Sequence, residues 1–228
     1  KHYGVPEKVI NIIRSLYQDT ICHVIHNTDL STPFTVSTGV RQGCLLSPLI
    51  FSLVVDWIMK TVTREPRGLQ WTFTKRLKDL DFADNIALLS HTHQHIQAKT
   101  QSLDTAAKRT GLHINIKKTK SMRINHRNET QLTLDNQPID EVGSFTYLGS
   151  VVNKTGGSDE DVKIRIGKAT GAFIALSNIW KRTAMWRNTN IKLFNSNVKP
   201  ILLYGSETWK HSKKIEQKLQ VFINNCLR

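Results

Sequence analysis

Two segments of this 228-residue sequence carry the residue types that phosphoryl chemistry needs. The run LDFADNIALLS, residues 80–90, places a carboxylate, Asp84, at a polar break between two apolar stretches. The pattern over residues 77–90 predicts two strands about a tight turn at Asp84 and Asn85, because Asp and Asn tolerate the positive φ such turns require. A carboxylate held still at a hairpin apex suits two-metal phosphoryl transfer, since magnesium takes hard oxygen ligands and tolerates little geometric error. Asp79 and Asp81 share one face of the first strand, either as outer neighbours of that site or as plain hairpin polarity. The second segment, TGVRQGCLLSPLIFSLVVDWI at 38–58, sets the polar loop residues Arg41, Gln42 and Gly43 before a helix start at Ser47 and Pro48.

Charge narrows the partners. There are 32 Lys and Arg against 18 Asp and Glu, a formal net charge of +14 and a pI near 9.9, and a basic globular chain meets phosphate. Most of the excess is C-terminal: residues 162–228 hold 13 basic and 2 acidic side chains. Three cysteines, Cys22, Cys44 and Cys226, form no CxxC pair, so a disulfide framework or zinc site is not expected and a reducing, intracellular setting fits. His91, His93 and His95 alternate, a spacing that does not converge on one ion in a helix. The longest apolar run, residues 49–59, is too short for a bilayer span. The chain begins at Lys1 with no leader pattern, which reads as a truncated start.

The elements that must position these residues follow from periodicity. Helices are expected over 6–17, 48–60 and 92–110, the last capped by Gly111. A hairpin is expected from 21–26 with 35–37, and strands over 112–116, 121–125, 131–134 and 144–152. Beyond Gly156 and Gly157, Ser158 is a candidate cap for a long helix. Val162, Ile166, Ala169, Phe173, Leu176 and Trp180 form its apolar stripe. Helices over 189–204 and 212–226 follow, with Pro200 expected to kink or divide the first. The fold class is therefore α+β: a mixed region over 1–152, then a basic helical region over 153–228.

Six blocks carry a resemblance across almost the whole chain: GVPEK (4–8), GVRQGCLLSPLIF (39–51), FADN (82–85), GLHINIKKTK (111–120), FTYLGSVV (145–152) and LLYGSETW (202–209). In this order and spacing the sequence resembles the reverse transcriptases of non-LTR (LINE-type) retrotransposons, the endonuclease-reverse transcriptase family. The resemblance implies a partial polymerase palm over 1–152, an antiparallel sheet with packed helices, and a thumb-like bundle over 153–228. It implies RNA-directed DNA synthesis with magnesium as cofactor, and an RNA template, a DNA primer and deoxynucleotides as partners. Asp84 matches the first carboxylate of the family's FADD box, a magnesium ligand, and Asn85 stands where the box has its second Asp. Gln42 and Gly43, with Arg41, match the loop beside the incoming nucleotide, and Lys118 matches a lysine near the triphosphate. FTYLGS falls near the primer grip. The basic helices, with Lys163, Arg165, Lys168, Lys181 and Arg182, match the part that holds template and primer.

Two departures set an expectation of inactivity. Asn85 carries no formal charge, and the family's other palm aspartate lies N-terminal to the GVPEK block. Two further readings stay open from sequence: a basic module that holds RNA or an RNA/DNA duplex without chemistry, and an inert translated remnant.

Overall fold

The computed structural model describes residues 2–36, 39–125, 130–181 and 187–228. They form two compact units, residues 1–115 and 116–228. This division places the strands after residue 116 with the C-terminal helices.

In the first unit, α1 (Glu7–Tyr17) leads into a nested pair of short ladders. Here β1 (Ile21–Cys22) pairs with β4 (Phe34–Thr35), and β2 (Ile25–His26) pairs with β3 (Asp29–Leu30), all antiparallel. The expected hairpin through 35–37 is this outer ladder, and its residue 37 lies outside the described residues. Next come α2 (Ser47–Val62), β5 (Leu69–Gln70) paired with β6 (Arg76–Leu77), and β7 (Asp79–Phe82) paired with β8 (Asn85–Leu88). The unit ends with α3 (His93–Arg109), whose Thr92 cap accepts from His95 N at 3.2 Å and whose last turn closes through Gly111 N to Lys108 O at 3.1 Å. Val54, Trp57, Ile58 and Val62 on α2 pack against Leu103 and Ala106 on α3. Only part of α2 is buried, since Leu49 is 57% exposed.

The segment 112–116, expected as a strand, forms none; residues 112–115 close the first unit and the second begins at Ile116. Regular pairing begins at β9 (Lys120–Ser121). The hairpin of β10 (Thr133–Leu134) and β11 (Gln137–Pro138) turns on Asp135 and Asn136, both at positive φ. Next, β12 (Asp140–Glu141) runs parallel to β9. The apolar run 144–152, read as one strand, is a hairpin of β13 (Ser144–Tyr147) and β14 (Ser150–Asn153), because Leu148 and Gly149 both take positive φ and reverse the chain. Among the described residues each ladder has two strands, and all but β9–β12 are antiparallel. The class is α+β.

Then come α4 (Asp159–Ala175), α5 (Ser177–Trp180), α6 (Arg187–Leu193), a π-helical turn (Phe194–Val198), α7 (Lys199–Leu203), a short 3-10 turn (Ser206–Thr208) and α8 (Lys213–Leu227). The expected interruption comes as the π-helical turn between α6 and α7, ending two residues before Pro200. The wider π turn before it re-registers the ladder where an α-helix would press the proline ring onto the carbonyl four residues back. Ala169, Phe194, Val198, Leu202 and Phe222 form the core, joined by Ile166, Phe173 and Trp180 from the expected stripe and by Leu219 of the last helix. Trp180 stacks on Phe173 with centroids 5.2 Å apart and donates to its carbonyl at 2.7 Å. No helix among the described residues is long and apolar enough to cross a membrane.

Candidate functional site

The β7–β8 hairpin presents Asp84 at its tip, but the turn falls one residue earlier than expected. Phe82 pairs with Asn85, so Ala83 and Asp84 are the central residues and Asn85 begins β8. Ala83 takes the positive φ, 54°, at the first central position of the turn. A Cβ in this region costs about 1 kcal/mol. Asp84 and Asn85 are exposed, and Asn85 Nδ2 donates to Asp84 Oδ1 at 3.2 Å.

The base of the hairpin is clamped by a buried lysine. Lys99 on α3 is 2% exposed, and its ammonium donates to Lys78 O and Leu89 O, both at 2.8 Å. These carbonyls flank the strands where Leu89 N reaches Lys78 O at 2.9 Å. Burial, with Asp81 adding to it, raises the Asp79 carboxyl above its ordinary 3.8. Burial likewise pulls Lys99 below its ordinary 10.5. Asp79 thus belongs to the hairpin's half-buried base, opposite Leu88, and Asp81 faces Ile86. His91 serves the same frame, accepting from Gln70 N at 3.1 Å.

The loop before α2 is wound onto the helix start. Ser47, 5% exposed, donates to Arg41 O at 2.6 Å and lies 3.1 Å from the Tyr17 hydroxyl. The Arg41 guanidinium donates to Leu16 O at 2.6 Å and Thr20 Oγ1 at 3.1 Å and lies over the Tyr17 ring. Expected beside a nucleotide, Arg41 acts as a brace on the end of α1. Gln42 and Gly43 are exposed in this loop, Gly43 at φ 81°. Lys118 is exposed in the turn-rich segment before β9, in the other unit from Asp84.

In the second unit, residues that sequence reasoning assigned elsewhere form a buried network. Asp161, 3% exposed, accepts from Val151 N at 2.9 Å and from Trp209 Nε1 at 2.8 Å. Arg165, 5% exposed, donates to Gly149 O and lies 4.5 Å from the Tyr204 ring centroid. Tyr204 in turn donates to Leu148 O at 3.0 Å. The FTYLGSVV hairpin and the LLYGSETW segment are thereby tied together by one polar pair on α4. Arg165 departs from its expected place on a phosphate-binding face, because its guanidinium is enclosed by the hairpin turn. Ser158 also departs from its capping role: its hydroxyl accepts from Lys210 N at 3.0 Å, and no side-chain cap bond forms. Sequence offered one signal for the network, a carboxylate and an arginine at i, i+4 in a helix.

Lys163, Lys168 and Lys181 are exposed, and Arg182 lies outside the described residues. Near α8, Asp159 pairs with the half-buried Lys218 at 2.6 Å and stands 4.0 Å from the exposed Lys214.

Among the described residues no three His, Cys, Asp or Glu side chains gather as a metal cage. Magnesium needs several hard oxygen ligands, and the tip offers a single carboxylate beside a neutral amide. The residues present do not fit a complete magnesium site.

Residues 1–152 match the model of the family described as reverse transcriptase (RNA-dependent DNA polymerase), and the chain belongs to that family. Residues 172–204, from late α4 through α7, match a domain of unknown function. The chain is 24% identical over 164 residues to the retrovirus-related Pol polyprotein from type-1 retrotransposable element R2 of Popillia japonica, covering 68% of this chain and 27% of that protein. It is 29% identical over 130 residues to the counterpart from Nasonia vitripennis, covering 52% and 12%. It is 26% identical over 151 residues to a putative uncharacterized transposon-derived protein of Caenorhabditis elegans, covering 64% and 54%. This is part of a reverse transcriptase of the non-LTR retrotransposon type, and it spans about half or less of the length of these relatives.

Proposed function

We propose that residues 1–152 are palm and the following helices thumb-like, and that the chain holds an RNA template with its DNA primer, or an RNA/DNA duplex, without completing a polymerisation site by itself. The observation that carries this reading is the tip of the β7–β8 hairpin. Asp84 is exposed there as the family's metal-facing carboxylate, while its neighbour is an amide whose N–H already engages it. One carboxylate holds a divalent cation weakly, so no primer extension is expected from these 228 residues.

The exposed Gln42 and Gly43 support a nucleotide-side loop braced by Arg41, and the exposed Lys118 a contact to the triphosphate. Grip on the duplex rests on the exposed lysines 163, 168 and 181. It should be dominated by phosphate contacts, hence weakly sequence-specific and strongly salt-dependent. Fluorescence anisotropy of a labelled RNA/DNA hybrid across a salt series tests it. Binding that weakens linearly in log–log form is expected; no binding at low salt would refute the grip.

A further inference from the structure

Between α2 and the Asp84 hairpin, β5 and β6 carry a tip, residues 71–75, that reads WTFTK. Trp71 is 72% exposed and Phe73 fully so. The loop that displays them is braced. Trp71 N and Thr72 N donate to Lys75 O at 3.0 and 3.1 Å, and Lys75 N donates to Thr72 Oγ1 at 3.1 Å. Gln70 reaches the carbonyls of Thr72 and Phe73 and accepts from Arg76 Nε at 3.0 Å, and Arg76 also holds Pro66 O at 2.7 Å.

Rings on a pre-ordered loop can be covered at little further entropic cost. The surroundings say by what. Residues 64–78 contain five basic side chains and one acidic one, Glu65, and that carboxylate is already paired with Arg67. Apolar protein partners are poorly matched to such a basic rim, whereas a single nucleic-acid strand offers unstacked base faces and phosphates together. A duplex hides those faces.

We propose that this tip is a single-strand contact: Trp71 and Phe73 stack on unpaired bases, and Lys75 neutralises a backbone phosphate. The inference rests on the reading above that the chain handles nucleic acid, but it concerns a separate surface and a different form of the strand.

The test is anisotropy with a short single-stranded RNA and, separately, a blunt RNA/DNA duplex, using the full chain and the variants Trp71→Ala, Phe73→Ala and Trp71→Phe. Thermal unfolding should be unchanged, because both side chains are exposed. Each alanine variant should lose about fivefold or more in single-strand affinity with duplex affinity unchanged, and Trp71→Phe should keep most of the affinity. Unchanged single-strand affinity in the alanine variants overturns the proposal, as does an equal loss for both probes. So does a change of size on gel filtration without a change in affinity, the mark of a protein contact. If the unmodified chain binds duplex but not single strand, this inference fails while the earlier reading stands. If it binds single strand, sensitive to Trp71, but not duplex, the earlier reading fails while this one stands.

Discussion

Asn85 Nδ2 donates to Asp84 Oδ1 at 3.2 Å, from the first residue of β8 to the turn residue before it at the tip of the hairpin. The family's two-carboxylate box becomes here a carboxylate and its own hydrogen-bond donor. An N–H on a metal-facing oxygen competes with a cation for a lone pair, and the amide adds no negative charge. Asn85→Asp removes the donor and adds a ligand. Divalent manganese, followed by its paramagnetic broadening, should bind this variant about tenfold or more tightly than the parent. Equal affinity would mean that the pair does not govern cation binding.

The base of the same hairpin should show a pH signature. Because burial raises the native pKa of Asp79, the native state holds that proton better than the unfolded chain does. Its contribution to stability is complete below the ordinary carboxylate range and is lost as pH rises through the raised native value. Asp79→Asn cannot ionise, so its urea midpoint should gain on the parent as pH rises from acid to neutral. Parallel curves would contradict the burial argument.

The Asp161–Arg165 pair should behave as a unit. Asp161→Ala strips Val151 N and Trp209 Nε1 of their acceptor and removes the carboxylate that stands 4.0 Å from the buried Arg165 guanidinium, a loss of about 3–5 kcal/mol. Arg165→Met leaves the carboxylate instead. The double variant should be more stable than the sum of the single losses by about 1 kcal/mol or more, measured as a denaturant double-mutant cycle. Strict additivity would show that the two residues act separately.

Lys163 and Lys168 are exposed on the helix that buries Arg165. Lys163→Gln and Lys168→Gln should each lower the log–log salt slope of duplex binding by about 1 if each meets a phosphate. A folded Arg165→Lys variant should leave the slope unchanged, because its side chain faces Gly149 and Tyr204. A reduced slope for Arg165→Lys would return that residue to the binding face.

What was legible in the sequence was local. The β7–β8 hairpin and the cap at Gly111 follow from alternation and turn chemistry within a dozen residues, and the α4 stripe from helical periodicity. The turn shifted by one residue because Ala83, not an Asp or Asn, took the positive φ, against its own propensity. The 144–152 run concealed a reversal for the same reason, since Leu148 gives no sign of a left-handed turn. The larger departures are non-local. Arg165 read as part of the face that holds template and primer until Gly149 and Tyr204 enclosed it, and Asp161 is buried one turn away by Val151 and Trp209. Nothing near Lys99 in the sequence marks it as buried, because the carbonyls it donates to lie 10 and 21 residues away.

Primer extension on an RNA template with magnesium, with duplex binding titrated in the same samples, tests the central claim most directly. The 228-residue chain should bind template and primer in a salt-sensitive way and extend nothing. Synthesis by this chain as it stands, abolished by Asp84→Ala, would contradict the claim that its tip cannot complete a polymerisation site.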